Sequence, residues 1–250
     1  MKFSGCTAVV IGGGGSIGGA ICRELAHNGA AVAVCDYALE AAEEVAAQAG
    51  NGSKAYAVNV RDYAGIEQLK ASVLEEYGRA DIFIYAAGGS ARGDIAPLPV
   101  IKPEVIENVI GVNLLGAIYS TRAFLDSMIA QKSGKIIYIA SIVGVNGMAK
   151  LSEYAAAKGG VIAMAKSLAK ELGPHGINVN CVSPGLVPRP EQMMPETLDS
   201  MKARSYIGKV TMPEDIAKLT AFLASADGDL VTGQNYIMDG GRSLANKGDQ

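Results

Sequence analysis

A tyrosine and a lysine four residues apart, Tyr154 and Lys158, are the side chains of this chain best suited to chemistry. Positions four apart lie on one face of a helix, so the phenol hydroxyl and the ammonium can reach the same space. A phenol titrates near pH ~10 in water, and a fixed positive charge nearby favours the phenolate and lowers that pKa. Ser141 lies thirteen residues before the tyrosine and offers another polar group. A single Tyr-x-x-x-Lys usually marks an ordinary amphipathic helix, but this set predicts proton transfer at an alcohol oxygen.

A glycine-rich turn near the start of the chain suits a bound anion. Residues 7–11 form a short apolar run typical of a buried parallel strand, and a helical pattern begins near Ala20. A strand, a glycine turn and a helix start bring backbone N–H groups and the positive end of the helix up to a phosphate. Glycine clusters also occur in turns and linkers, but the flanking elements favour nucleotide binding. The predicted cofactor contacts in this turn are Gly12, Gly14, Gly15, Ser16, Ile17 and Gly18.

Asp36 follows the second predicted strand, eighteen residues after Gly18. A carboxylate at this place suits the two free ribose hydroxyls of NAD and repels the 2′-phosphate of NADP. Asp36 could instead cap the helix that begins near Ala38, and the two roles are compatible. The position favours the ribose, so the sequence predicts NAD as the cofactor.

Further motifs follow in order along the chain. They are Asn59-Val60, Ala86-Ala87-Gly88, Asn113 in a Val-Asn-Leu-Leu-Gly run, Pro184-Gly185 with Val187, and Asp239-Gly240-Gly241. Together with the glycine turn and the serine, tyrosine and lysine, they resemble the short-chain dehydrogenase/reductase family over nearly the whole chain.

The resemblance implies roles for particular residues. The implied catalytic set is Asn113, Ser141, Tyr154 and Lys158, in which Lys158 also hydrogen-bonds the nicotinamide ribose and Asn113 holds a water. Further cofactor contacts are implied at Asn59, Val60, Ala86, Ala87, Gly88, Tyr154, Lys158, Pro184, Gly185 and Val187.

Several positions depart from the family pattern. Ile11 stands where the family has Thr, Ser16 where a second glycine is usual, and Asn59 where Asp is usual. Tyr85 replaces an Asn that steadies the central strand ends, and Arg189 replaces a Thr on the nicotinamide side of the cofactor. None of these departures falls on the implied catalytic set, so the sequence predicts an active enzyme.

Strand and helix signals alternate throughout, which is typical of a parallel sheet covered on both faces. Residues 1–250 are expected to form a single doubly wound, Rossmann-type α/β domain, and the resemblance implies the strand order 3-2-1-4-5-6-7. Strands are predicted near 7–11, 31–35, 54–58, 81–85, 135–139, 177–182 and 235–238. The segment 186–210 is either a mobile substrate lid, as in the family, or a surface loop with a short helix.

Composition excludes several classes of function. The net charge is −3 without a basic block, so nucleic acid and anionic membranes are poor partners. The uncharged run from Phe3 to Cys22 contains seven glycines and is neither a membrane span nor a signal peptide. Four cysteines without CxxC spacing indicate free thiols in a reducing cytoplasm, and two histidines without a ligand cluster argue against a metal site.

The predicted activity is the interconversion of a secondary alcohol and a ketone with NAD(H). A 3-oxoacyl-carrier-protein-type ketoreductase and a non-catalytic NAD-binding regulator are the alternatives, and the identity of the small-molecule substrate stays open. The resemblance also implies a homotetramer. Small residues in the helix after Lys158, such as Gly159, Gly160 and Ala163, permit close approach of a second helix, or only tight packing within one chain.

Overall fold

The computed structural model describes residues 1–91, 93–189 and 193–244. Seven parallel strands form one sheet in the order β3-β2-β1-β4-β5-β6-β7, as predicted. Each observed strand boundary lies within two residues of the predicted one, and the largest difference is at β6, which continues to Pro184. The strands are β1 (Thr7–Ile11), β2 (Ala31–Asp36), β3 (Lys54–Ala57), β4 (Ile82–Tyr85), β5 (Gly134–Ile139), β6 (Ile177–Pro184) and β7 (Asn235–Met238).

Helices cover both faces of the sheet because the strands alternate their side chains between two apolar cores. Val9 of β1 packs in the core under the helices at 63–77, 116–131 and 152–172. Val10 packs in the core under the helices at 16–27, 39–49 and 213–224. The helices are α1 (Ser16–His27), α2 (Leu39–Ala49), α3 (Tyr63–Tyr77), α4 (Pro103–Ile110), α5 (Gly116–Gln131), α6 (Val143–Asn146), α7 (Ser152–Leu172), α8 (Pro195–Ala203) and α9 (Pro213–Ala224).

A π-helical turn, Gly111–Leu115, joins α4 to α5 without a break. The long helix begins at Pro103, and proline suits this first helical position because its fixed φ is helical and its missing N–H is not needed there. The buried Tyr85 at the end of β4 donates its hydroxyl to the carbonyl oxygen of Val112 at 2.6 Å, inside the π-helical turn. This departure from the family pattern therefore still steadies the end of a central strand, through a different contact.

In the described part of the chain, no helix combines the length and the apolar character needed to cross a membrane.

Candidate active site

The glycine turn after β1 is built by close backbone approach. Gly12 has a φ of +83°, and a Cβ there would overlap the backbone of Ala87 beyond β4. A Cβ on Gly18, in the first turns of α1, would overlap the carbonyl oxygen of Gly12. Gly15 is the N-cap of α1 and makes no such contact, because its added Cβ would lie 3.5 Å from that same oxygen. The turn therefore presents backbone rather than side chains in front of the helix N-terminus.

Asp36, the last residue of β2, ties the glycine turn to the start of α2. One carboxylate oxygen accepts the backbone N–H of Gly14 at 3.0 Å, and the other accepts that of Ala38 at 3.1 Å. Ala38 is the N-cap of α2, so this bond holds the approach to the helix and does not cap the N–H groups of its first turn, as the sequence had suggested it could. The ribose contact stays a prediction.

A cleft of about 510 Å³ opens at the carboxyl ends of the first four strands. It brings together eight of the predicted cofactor residues: Gly12, Gly15, Asp36, Asn59, Val60, Ala86, Ala87 and Gly88. The Asn59 side-chain oxygen is occupied, since it accepts the N–H of Arg61 at 3.0 Å, so the amide nitrogen is the group left to meet a ligand.

Other predicted residues lie in neighbouring hollows. Gly14 and Ser16 line a hollow of about 460 Å³ between α1, α2 and α9. Asn113 lines a hollow of about 340 Å³ together with Gly88 and Gly89. Ile17, Ser141, Tyr154, Lys158, Pro184, Gly185 and Val187 lie outside these three spaces.

Lys158 is buried on α7, near the end of β5. Its ammonium donates to the carbonyl oxygen of Ile139 at 2.8 Å, and its nitrogen lies 5.9 Å from the centre of the Tyr154 ring. Removal from water lowers the pKa of Lys158 from 10.5 to about 8, partly opposed by the nearby Cys181. The predicted pair therefore places a buried amino group, still mainly protonated at neutral pH, beside a partly exposed phenol.

Ser141 is buried two residues beyond the end of β5. Its hydroxyl accepts the N–H of Val143 at 3.2 Å. The next residue, Ile142, donates its N–H to the carbonyl oxygen of Pro184 at 3.1 Å, so the serine segment is fastened to the end of β6. The residues Gly185 and Val187 follow directly from that strand end.

Asn113 lies inside the π-helical turn and is almost fully buried. Its side-chain oxygen accepts the N–H of Gly89, and its amide nitrogen donates to the carbonyl oxygens of Gly89 and Val109 at 3.0 and 2.9 Å. The side chain therefore fixes the chain beyond β4 against α4. The water contact implied by the resemblance stays a prediction.

Comparison with known proteins places this arrangement in a family. A family model described as enoyl-(acyl carrier protein) reductase matches residues 12–243. Galactitol 2-dehydrogenase of Agrobacterium fabrum is 34% identical over 259 residues, covering 98% of this chain and 100% of the relative. The 3-oxoacyl-[acyl-carrier-protein] reductase FabG of Thermotoga maritima is 34% identical over 246 residues, covering 96% of this chain and 99% of the relative.

A solved structure gives the same result for the fold. The structure described as ribose-5-phosphate isomerase from Brucella melitensis 16M has a TM-score of 0.90 at 33% identity, covering 98% of this chain and 94% of that one. The chain belongs to the short-chain dehydrogenase/reductase family. Short-chain dehydrogenases of this kind use a nicotinamide cofactor, NAD or NADP, and act as oxidoreductases on alcohols or ketones.

The structure adds residues to this short-chain dehydrogenase site that motif reasoning missed. Tyr37, Arg61, Asn108 and Val112 also line the 510 Å³ cleft. Tyr37 and Arg61 follow recognised motif residues directly, so their position beside a motif was the available signal. Val112, in the π-helical turn, directly precedes Asn113 in its motif, whereas Asn108 comes from α4 and no local pattern marks it.

Glu153, next to Tyr154, is a second unexpected feature. It is 5% exposed, and neither of its carboxylate oxygens has a hydrogen-bond partner among the described residues. It lies on the buried stripe of α7 with Ala157, Val161 and Ala165, four residues apart. Its place in the first turn of the helix favours a negative charge, which offsets part of the cost of burial.

Other reactive side chains are poorly placed for chemistry. All four cysteines are unpaired, and desolvation raises the pKa of the buried Cys22, Cys35 and Cys181 thiols, in Cys181 to about 12. Among residues 1–91, 93–189 and 193–244, no group of three or more His, Cys, Asp or Glu residues could hold a metal ion. Arg189, the departure on the nicotinamide side, is partly buried just before residues 190–192, which lie outside the described residues.

Proposed function

We propose that this protein interconverts a secondary alcohol and a ketone with NAD(H), using Tyr154 as the acid/base. The observation that carries the proposal is the buried Lys158 ammonium, hydrogen-bonded to Ile139 and lying beside the Tyr154 ring. A positive charge held in a poorly solvated place favours the phenolate over the phenol. Asn113, Ser141, Tyr154 and Lys158 support an enzyme over a non-catalytic nucleotide-binding regulator, which has no use for a buried cation beside a phenol.

The side chains divide the work of the reaction. Tyr154 takes the proton from the alcohol oxygen during oxidation and returns it to the carbonyl oxygen during reduction. Ser141 donates a hydrogen bond to the reacting oxygen, and Lys158 holds the phenolate and one ribose hydroxyl. When bound, the nicotinamide cofactor supplies or accepts the hydride.

Backbone geometry and charge support a dinucleotide in the 510 Å³ cleft. The turn has no room for a Cβ at Gly12 or Gly18, so phosphates can approach the main chain and the N-terminus of α1. Asp36 on the wall of the cleft favours the free ribose hydroxyls of NAD over the phosphate of NADP. Asn59, Val60, Ala86, Ala87 and Gly88 also line this cleft, and we assign Pro184, Gly185 and Val187 to the nicotinamide end of the site.

The alternative within the same chemistry is a 3-oxoacyl-carrier-protein-type ketoreductase. The similarity to a reductase of that name supports it at the same level of identity as galactitol 2-dehydrogenase. Asp36 speaks against it, because that class of reductase usually prefers NADPH.

Replacement of Tyr154 tests the proposal. Tyr154→Phe keeps the ring and its packing and removes only the acid/base oxygen, so kcat should fall by roughly 10²–10⁴ while the NADH dissociation constant stays within about twofold. Tyr236→Phe on β7 is the matched control for loss of a phenol, and it should keep the wild-type kcat. A Tyr154→Phe enzyme with most of its kcat would remove Tyr154 from the mechanism.

A homotetramer and a cytoplasmic location complete the proposal. Gly159 and Gly160 pack against Gly144 and Leu114 of the same chain, so these two small residues no longer argue for a second helix. The family pattern pairs the long helices across one two-fold axis and the C-terminal strands across a second. Exposed apolar side chains support both interfaces: Leu115 and Ile118 in the helical region, and Phe222 and Ile237 near β7. Light scattering should give a mass near four times 25.8 kDa, and a mass of one chain would contradict both interfaces. The unpaired cysteines support a reducing compartment.

A further inference from the structure

Exposed large apolar side chains are concentrated in the segments that follow β4, β5 and β6. We call residues 89–91, 93–101, 141–151, 186–189 and 193–210 together the substrate half of the sheet edge. Among the described residues, this half holds nine of the eighteen large apolar side chains that are exposed, although it is less than a quarter of the chain: Ile95, Leu98, Val100, Val145, Met148, Leu186, Met193, Met194 and Ile207.

Sheet topology brings these three segments to one place. The strands β4, β5 and β6 are neighbours in the sheet and run parallel, so the chain leaves all three at the same edge. The hydrogen bond from Ile142 to Pro184 joins the second segment to the third, and Asn113 holds the first segment at Gly89. The proposed catalytic residues Ser141 and Tyr154 lie within or directly after the second segment.

The neighbouring part of the same edge follows β1, β2 and β3. We call residues 12–18, 36–39 and 58–61 the cofactor half. Its exposed large apolar side chains are Tyr37 and Leu39, and the wall of the cleft there combines backbone and polar groups with Val58 and Val60. A concentration of exposed apolar side chains on a folded chain marks a place where another molecule is bound.

We propose that the substrate carries an extended apolar substituent beside the reacting carbinol or carbonyl carbon, a class distinct from the polyols. The proposal rests on the proposed function, because it requires hydride transfer to occur beside Tyr154. A polyol presents hydroxyl groups along its whole length, and burying each of them against apolar side chains without a partner is costly. Three of the nine residues are methionines, whose flexible side chains adapt to apolar groups of different shape.

A series of 2-alkanols tests this substrate class in the whole protein. With NAD, kcat/KM should rise about fourfold per added methylene from 2-butanol to 2-hexanol and 2-octanol. Galactitol and sorbitol should fall below 2-butanol. A flat series, or either polyol surpassing 2-octanol, would overturn the proposal.

Two variants test whether the substrate half causes the gain in kcat/KM per methylene. Val145→Ser and Met194→Ser should each reduce the gain per methylene, because each removes apolar contact area from the substrate half. Leu230→Ser is the matched control: this fully exposed leucine precedes β7, at the opposite edge of the sheet, and its loss should leave the gain unchanged. If the two variants change the mass in light scattering and not the gain, a second copy of the chain covers the patch, and the proposal is wrong.

A binding measurement separates this proposal from the proposed function. Thermal unfolding with NADH should show greater stabilisation by 2-octanone than by 2-butanone, whether or not turnover occurs. If no alcohol or ketone is converted with either cofactor, the proposed function fails, and the ketone comparison still decides the apolar preference.

Discussion

The cofactor half and the catalytic residues lie at the same edge of the sheet, but their functional groups have opposite effects on the stability of the fold. In the cofactor half, the groups proposed to bind a ligand also stabilise the fold. Asp36 accepts two backbone N–H groups. Glycine is required at position 18, because a Cβ there would overlap the carbonyl oxygen of Gly12. Beside Tyr154, the buried Lys158 costs the fold free energy through desolvation. The proposed functional groups therefore stabilise the cofactor half and destabilise the region around Tyr154.

The difference follows from what each region is made of. Backbone groups in a tight turn must be satisfied in any folded protein, so an anion site made of them adds little cost. An ammonium in an apolar environment has an unfavourable free energy at every pH where it is charged. Strongly perturbed ionisable groups cluster at functional sites, so the cost of Lys158 supports a use for its charge.

The largest effect expected in the cofactor half comes from a single methyl group. Gly18→Ala places a Cβ on the carbonyl oxygen of Gly12, and we expect a loss of about 3 kcal/mol in the free energy of unfolding without cofactor. Gly15→Ala is the matched substitution, because its Cβ would meet the same oxygen at 3.5 Å, and it should cost less than about 1 kcal/mol. Urea denaturation of both apo proteins measures the difference. Equal stability of the two variants would show that the turn is not limited by packing.

These glycines also show how much of the molecule could be predicted from the sequence. The turn and the strands depend on local backbone geometry and on hydrophobic periodicity, both of which are visible in a linear chain. The strand order followed from right-handed crossovers and the family resemblance. The hydrogen bond from Tyr85 to Val112 joins two elements 27 residues apart, and it explains a departure that the sequence could only note.

Packing in three dimensions accounts for what the sequence did not predict. In the sequence, Glu153 is an ordinary acidic residue in the first turn of a helix. It is buried because α7 packs against the rest of the fold. The π-helical turn around Asn113 likewise has no local signal, because Gly111 to Leu115 would continue an α-helix equally well. Exposed side chains of the substrate half follow no period, since they face no core.

Lys158→Met tests whether the catalytic lysine destabilises the fold. At pH 7 the lysine is protonated in both the folded and the unfolded chain, and its lowered pKa corresponds to a cost of about 3 kcal/mol in the folded state. Methionine removes this cost and loses the hydrogen bond to Ile139, worth about 1 kcal/mol. We therefore expect the inactive variant to be more stable than the wild type by about 2 kcal/mol in urea denaturation at pH 7.

The stability difference between Lys158→Met and the wild type should depend on pH. The folded pKa of about 8 lies below the unfolded value of 10.5, so the unfolded chain binds more protons between these values. Wild-type stability consequently rises with pH across this window, and the advantage of Lys158→Met should shrink there. Lys166→Met, an exposed lysine on the same helix, is the control and should show no such dependence. A Lys158→Met protein that is clearly less stable than the wild type at pH 7 would contradict the cost assigned to this lysine.

The smallest expected effect concerns the charge of Asp36. Asp36→Asn keeps an oxygen for one of the two backbone N–H groups and removes the negative charge from the wall of the cleft. Two like charges about 5 Å apart at an effective dielectric of about 20 repel by about 3 kcal/mol, and screening reduces this. We expect the ratio of kcat/KM for NADH to that for NADPH to fall about tenfold, with a loss of about 1 kcal/mol in stability from the missing hydrogen bond.

Asp62→Ala provides the comparison for this last change, because alanine removes a helix cap worth about 1 kcal/mol. Asp62 caps α3 by accepting the N–H of Ala64 at 3.1 Å and does not line the 510 Å³ cleft. Its replacement should lower stability by a similar amount and leave the cofactor ratio unchanged. If both variants lose stability and neither changes the ratio, Asp36 acts only as a link between the glycine turn and α2. The preference for NAD would then have to come from another group in the cleft, and Arg61 on its lining would work against that preference, because its positive charge would attract the phosphate of NADP.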